Sequence, residues 1–229
     1  MTGENRATTA KAAETTARRE VIETALAMSR RGLSPGRSGN VSRRWRDGML
    51  ITPSGMAYEE LVPSDVVFVG ADGKANGKRK PSSEWLFHLA VYAARSDMHG
   101  AVHTHSMHAV VLACAGKSIP AFHYMVAAAG GDDIPCVPYA AFGTEALARH
   151  VAKGIERRNA CLMAHHGQIA IGTTLMAALE LAAEVETLAE QYYKVLTMGR
   201  PALLSASEMA EVLERFKAYG QKAQNKARD

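Results

Sequence analysis

Apolar residues recur at helical spacing over residues 15–31, where Val21, Ile22, Ala25, Leu26 and Met28 fall on one stripe and Gly32 stands at the position of a C-capping glycine. Short apolar runs bounded by turn residues, at 48–52 (GMLIT) and 65–69 (DVVFV), predict strands. Residues 82–95 (SSEWLFHLAVYAAR) predict a helix opened by serine. Residues 100–105 (GAVHTH) predict a strand that passes into a short helix over 106–114, and further strands are expected near 134–138, 160–164 and 167–171. A long helix is expected from 174 to 197, with Leu175, Leu179, Ala182, Val185, Ala189, Tyr192 and Leu196 on one face. Ser205 and Glu208 have capping-box spacing at the start of a last helix running to about Tyr219. The Gly/Ser-rich stretch 36–42 (GRSGNVS) is expected as a loop, the polar N-terminal stretch as a frayed extension, and the tail QKAQNKARD as mobile.

Strands and helices alternate, yet several strand pairs are close enough for direct hairpin or arch links. That pattern favours a layered α/β or α+β domain with a mixed or antiparallel sheet over a doubly wound parallel one. No GxGxxG follows a strand and no GxxxxGK[ST] occurs, which argues against a dinucleotide fold and a P-loop. No internal repeat or composition shift divides the chain, so its 229 residues read as one domain.

Composition adds mainly exclusions. With 47% hydrophobic and 22% charged residues the chain is globular rather than disordered. No run approaches the ~18 apolar residues of a membrane span, and the N-terminus lacks the apolar segment of a secretory signal, so no membrane partner and a cytoplasmic location are expected. The net charge of +4 is mild; its densest cluster, Lys74, Lys78, Arg79 and Lys80, reads as a solvated turn or a positive rim for an anionic small molecule, and nucleic acid is not an expected partner. The 3 cysteines, Cys114, Cys136 and Cys161, are too scattered for a disulfide framework and read as small buried hydrophobes.

Nine histidines are an unusual load, and their placement matters more than their number. His103 and His105 lie two apart in the expected strand, so period two puts both imidazoles on one face, where they can take adjacent corners of a zinc tetrahedron. His165 and His166 precede Gly167 between two short strands, and one of the two can supply a third ligand; spacing does not choose between them. Glu84 opens the helix after Ser82 and Ser83, whose hydroxyls and N–H groups suit an anion. The loops 38–40 (SGN) and 52–55 (TPSG) offer small residues and free N–H groups for phosphate or another oxyanion. His88 shares a helix face with Glu84 and is expected in a supporting or core role.

The ordered set GNVS (39–42), ITPSG (51–55), PSSEW (81–85), AVHTH (101–105), HYMVAAAGGDDIPCVPYAAFGT (123–144) and HHG (165–167) resembles the class II aldolase/adducin head family. Each motif alone is weak; six in order are specific. The resemblance runs from about residue 18 to 220, which implies a single domain over 18–220 flanked by a flexible N-terminal extension (1–17) and a flexible tail (221–229). It implies a three-layer αβα sandwich with a largely antiparallel central sheet. It also implies Zn2+, or another divalent cation, on His103, His105 and His166, with Glu84 as the catalytic carboxylate. Phosphate falls to Asn40, Ser54, Gly55, Ser82 and Ser83; Tyr124, reaching in from a neighbouring subunit, is the proton donor at the aldehyde end; Phe142, Phe216 and Tyr219 wall the aldehyde side. Members of this family that are aldolases cleave a phosphorylated sugar, here L-fuculose 1-phosphate or a related 5- or 6-deoxyketose 1-phosphate, to dihydroxyacetone phosphate and a small aldehyde. They assemble as C4 homotetramers with active sites at subunit interfaces. The alternatives on the same scaffold are a methylthioribulose- or 5-deoxyribulose-1-phosphate aldolase, a pentulose-phosphate 4-epimerase, and a non-enzymatic adducin-like binding module, which the full set of histidines disfavours. Arg37-Ser38 ahead of Gly39-Asn40 departs from the small residues of the family loop.

Overall fold

The computed structural model of the chain describes residues 3–218, with side chains over 8–217. Strands β1 (Asn40–Trp45), β2 (Gly48–Ile51), β3 (Val67–Gly70), β4 (Ala75–Asn76), β5 (Gly100–Thr104), β6 (Cys136–Val137), β7 (Ala160–Met163) and β8 (Gly167–Gly172) form one sheet in the order β4-β3-β2-β1-β5-β8-β7-β6. Every neighbouring pair is antiparallel except β6 with β7.

Strand periodicity divides the interior into two cores. Leu50, Val102, Leu162 and Ala170 point to a face covered by helices α1 (Gly3–Arg30), α3 (Met107–Cys114) and α5 (Leu175–Met198), with α6 (Ala206–Ala218) beyond. Met49, Ile51, Ala101, Ile169 and Ile171 point to the other face, covered by α2 (Trp85–Ala94) and α4 (Glu145–Gly154). The result is the expected three-layer αβα sandwich with a largely antiparallel sheet. The stripe on α5 is buried from Leu175 to Tyr192, and Ser205 and Glu208 form the capping box: the Ser205 N–H donates to Glu208 Oε2 at 2.7 Å and the Glu208 N–H to Ser205 Oγ at 3.2 Å.

Several expectations need correction. The stretch 36–42 is not all loop, because β1 starts at Asn40; its inward positions on one face, Asn40 and Ser42, are polar and hide the strand signal. Helix α4 has no counterpart in the pattern reading, although Leu147, Val151 and Ile155 repeat every fourth residue behind the Thr144 N-cap, whose side chain accepts from the Leu147 N–H. Helix α1 already begins at Gly3, within the stretch expected to fray. Glu14 pairs there with Arg18 and Arg46, while burial of α1 begins at Ala17. Of the cysteines only Cys161 is buried; Cys136 is half-buried and Cys114 exposed, at the solvent side of α3. Tyr219 and the tail 219–229 lie outside the described residues.

Close approach of β5 to the start of α5 requires glycine at 100, since a Cβ there would stand 2.8 Å from the backbone nitrogen of Leu175 and 2.8 Å from the Thr174 carbonyl oxygen. We expect Gly100→Ala to lower stability by ~1–3 kcal/mol, the usual range for overpacking, seen as a lower urea midpoint at unchanged m-value; an unchanged midpoint would show that α5 can shift freely.

Candidate metal centre

Two antiparallel pairings build the site. Asn40 on β1 lies across from His103 on β5, and Thr104 lies across from Gln168 on β8. The C-terminal end of β5, the start of β1, the turn before β8 and the first turn of α2 therefore meet at one end of the sheet, on the face of α2. Ala101 and His103 share that face by strand alternation, and His105 follows just past the strand end.

His103 is completely buried, and its Nδ1 stands 2.7 Å from the Gln168 carbonyl oxygen. A carbonyl only accepts, so Nδ1 carries the proton and Nε2 presents a lone pair. That lone pair faces His105 Nε2 at 2.9 Å and Glu84 Oε2 at 3.1 Å. His166 Nε2 reaches Glu84 Oε1 at 2.9 Å. The three rings stand edge to face around a common point, with centroids 4.8–4.9 Å apart, and the ligand atoms of Glu84, His103, His105 and His166 all lie within 4.8 Å of one another. Inward-facing lone pairs at this spacing repel one another unless a cation or protons stand between them. The set fits a divalent ion with nitrogen-rich coordination.

The turn before β8 settles what spacing leaves open. His165 has a left-handed backbone (φ 57°), which costs ~1–2 kcal/mol for a non-glycine residue, and its ring goes to the edge of Tyr139, 5.9 Å between centroids. His166 turns inward instead. Gly167 follows because a Cβ there would lie 2.4 Å from the Thr104 carbonyl oxygen and 3.0 Å from the His105 ring.

Burial works against charge on two of the histidines. Burial, together with the neighbouring His103 and His166, pushes His105 down to about 3, and burial pushes His88 down to about 3. Burial alone would raise the Glu84 carboxyl, but positive charge on the adjoining His103 and His166 outweighs it and holds the acid well below the usual carboxylate range.

A cavity of about 470 Å³ opens over this cluster. Ser54, Gly55, Ser82, Ser83 and Phe142 are among its lining residues. The two serine loops are laced together: the Ser54 N–H donates to the Lys80 carbonyl at 3.1 Å and the Ser82 N–H to the Thr52 carbonyl at 3.0 Å. The expectation of free N–H groups therefore fails at Ser54 and Ser82. Asn40 also lines the cavity, but its amide donates to Glu84 Oε2 at 2.8 Å and accepts from His88.

Tyr124, 51% exposed on the 3-10 turn Tyr124–Ala129, and Phe216 on α6 are not among the lining residues of this chain's cavity. Sequence reasoning missed Tyr139 and His165 as cavity walls; an exposed aromatic after Pro138 was the only signal for the first. Of the basic residues, Arg37 lines the cavity and donates to the Gly55 carbonyl at 2.8 Å. Lys74 and Arg79 pair with Asp72 and Asp65 instead. No helix among the described residues is long and apolar enough to cross a membrane.

Comparison with known proteins adds a family. The profile described as Class II Aldolase and Adducin N-terminal domain matches residues 19–193. A 5-methylthioribulose-1-phosphate/5-deoxyribulose-1-phosphate aldolase of Rhodospirillum rubrum is 53% identical over 207 residues, covering 90% of this chain and 94% of that protein. An L-fuculose phosphate aldolase of Escherichia coli (strain K12) is 50% identical over 203 residues, covering 88% and 94%. Among solved structures, an L-fuculose 1-phosphate aldolase superposes with a TM-score of 0.86 at 38% identity, covering 89% of this chain and 97% of that one.

The histidine environment sets an acid limit on stability. His88 and His105 titrate near 3 when folded and near the ordinary 6.5 when unfolded, so below about 6.5 the unfolded chain binds more protons and stability falls as pH drops towards 3. Urea midpoints of chelator-treated protein should decline across pH 7 to 4.5, by up to ~1.4 kcal/mol per pH unit for each linked proton. His88→Gln, which cannot titrate, should flatten that decline; an unchanged slope would mean that His88 is not held neutral.

Proposed function

The chain belongs to the class II aldolase and adducin family, and on that premise we propose that it is a metal-dependent aldehyde-lyase that reversibly cleaves a ketose 1-phosphate to dihydroxyacetone phosphate and a small aldehyde. The observation that carries this reading is the convergence of three imidazole nitrogens and one carboxylate beneath a cavity rimmed by serine and glycine loops. Nitrogen-rich, closely spaced donors favour Zn2+ over a harder ion, with His103, His105 and His166 as its ligands. When bound, such an ion supplies Lewis acidity to oxygens of the sugar next to the scissile bond.

The chain's own groups do the rest. The Ser54 hydroxyl, the Gly55 backbone and Ser83 hold the phosphate at the rim and fix the ketone end over the cluster, which converts remote binding energy into orientation. In the cleavage direction the hydroxyl beside the scissile bond gives up its proton, the carbon–carbon bond breaks, and its electron pair stays with the ketone fragment. Glu84, having taken up one proton from solvent through the open cavity, delivers it to that carbon and completes dihydroxyacetone phosphate, while the hydroxyl's proton passes to solvent; in synthesis the same carboxylate takes the proton away and releases it. Its lowered pKa keeps the resting carboxyl ionised, the form that accepts a proton. The half-exposed phenol of Tyr124 lies outside its own cavity, which supports its use as Tyr124 of the partner subunit, at the aldehyde oxygen, within a C4 homotetramer. Phe142 walls the aldehyde side from this chain, with Phe216 and Tyr219 assigned to that wall from the partner side. A cytoplasmic metabolic enzyme is the matching cellular role.

For the substrate, L-fuculose 1-phosphate, which releases lactaldehyde, is the first reading. The Rhodospirillum rubrum relative supports a second, a 5-methylthio- or 5-deoxyribulose 1-phosphate. A coupled assay of dihydroxyacetone phosphate with lactaldehyde, methylthioacetaldehyde and glycolaldehyde ranks them. Release of free dihydroxyacetone phosphate is the expected result, and interconversion of ketose phosphates without release would make the protein an epimerase instead. Chelation should abolish cleavage and added Zn2+ restore it, whereas full activity of metal-free protein would exclude the metal role.

Two substitutions separate the residue roles. Glu84→Gln should keep bound metal and phosphate affinity while losing roughly 10²–10⁴ in turnover, the usual worth of a general base; near-normal turnover would remove Glu84 from that role. Tyr124→Phe should slow carbon–carbon cleavage while leaving proton exchange on dihydroxyacetone phosphate intact, and equal loss of both would point to a structural tyrosine.

A further inference from the structure

Behind Glu84, away from the cavity, a line of hydrogen bonds runs into the interior. Asn40 Nδ2 donates to Glu84 Oε2 at 2.8 Å, and Asn40 Oδ1 meets His88 Nε2. His88 Nδ1 lies 2.7 Å from Ser42 Oγ, which lies 2.9 Å from the Tyr92 hydroxyl; that hydroxyl also donates to the Ser42 carbonyl at 2.8 Å. Asn40, Ser42, Glu84, His88 and Tyr92 are all buried. Two come from one face of β1, and two lie one turn apart on α2, the helix that Glu84 itself precedes.

The chemistry of the end group fixes the direction of every bond. A carboxylate only accepts, so the Asn40 amide must turn its NH2 towards Glu84 and its carbonyl oxygen towards His88. His88 must then carry its proton on Nε2 and accept on Nδ1, and the Ser42 hydroxyl must donate to it. As far as Ser42 only one arrangement of protons satisfies the line, the single Tyr92 proton being shared between Ser42 Oγ and the Ser42 carbonyl, and burial of all five residues keeps solvent from competing.

We propose that His88 is a positioning residue: by clamping the Asn40 amide in one orientation it aims the Glu84 carboxylate at the reacting carbon. Asn40 accordingly serves Glu84 through its side chain, and what it offers to phosphate is left to its backbone. The proposal rests on Glu84 being the proton-transfer group as argued above. Phe87 stacks on His88 at 4.9 Å, so the pocket already accommodates flat rings.

The test compares His88→Phe, which keeps a ring and loses both nitrogens, with His88→Gln, which keeps one donor and one acceptor. His88→Phe should lower kcat about tenfold, the worth of one hydrogen bond to a charged group. KM for the ketose phosphate and bound metal should stay unchanged, and His88→Gln should recover most of the loss. In a Glu84→Gln background, His88→Phe should cost nothing further, because its effect passes through the carboxylate. If His88→Phe does not fold, Ser42→Ala, which frees His88 Nδ1, should show the same pattern with a smaller loss. An equal further loss in the Glu84→Gln background, lost metal, or a His88→Gln enzyme as slow as His88→Phe would overturn the proposal. Near-normal turnover of Glu84→Gln alone would overturn the base role and this proposal with it, so the two failures are told apart.

Discussion

Lone pairs that point at one another are the constraint on which the rest of this structure depends. His103, His105 and His166 present nitrogens to a single point beside the Glu84 carboxylate, inside a buried end of the sheet. Without positive charge among them the arrangement is repulsive, and with it the same arrangement is a strong binding site. The fold resists relaxation by tying three of the four members from behind: His103 through Nδ1 to the Gln168 carbonyl, Glu84 through Oε2 to Asn40. His166 is tied through the Met163 carbonyl that holds its N–H at 3.0 Å. Gln168 is in turn held by its own side chain, which donates to Ser106 Oγ at 3.0 Å and to the Ala182 carbonyl on α5 at 2.9 Å. The helix layer on the far face of the sheet thus contributes to the geometry of a site it never touches.

The cost of such a site is borne by a polar interior. In most strands of this sheet, inward positions are Val, Ile, Leu, Met or Ala, and they give two dry cores. At β1 the positions facing α2 are Asn40 and Ser42, and α2 answers with His88 and Tyr92. Burying these groups is tolerable only because each finds a partner. Among the described residues just two buried side-chain polar atoms, Trp45 Nε1 and Gln168 Oε1, have none. The network therefore does for the carboxylate what Gln168 does for His103: it exchanges apolar packing for a fixed direction.

Recognition and chemistry are divided along the same lines. Rigid elements carry the donors, while the cavity rim is made of loops laced to each other by the Ser54 and Ser82 amides. Tyr139 and Phe142, which also line the cavity, are exposed aromatics in the isolated chain. Tyr124 and Phe216 stand elsewhere, on a 3-10 turn and on α6, which pack together. Polar loops and aromatic rings around one cavity suit a phosphorylated sugar substrate.

The amino-acid sequence determined a good deal by itself. Period two placed His103 and His105 together, periodicity of about 3.6 located α1 and α5, opening serines located α2 and α6, and the ordered motifs pointed to the fold and the aldolase chemistry. It missed β1, because polar residues face inward there, and α4, whose four-residue repeat of Leu147, Val151 and Ile155 is sparse. Spacing could not choose between His165 and His166, since a left-handed residue in the turn decides which ring faces in, and that depends on what packs around it. Nor could it show that Asn40 is spent on Glu84 and His88, because those three are 44 and 48 residues apart and only strand pairing and helix docking bring them within hydrogen-bond distance. Local pattern records what one residue wants from its neighbours in the chain. The direction of a side chain in a buried site is set by partners remote in sequence, and the tertiary structure alone supplies them.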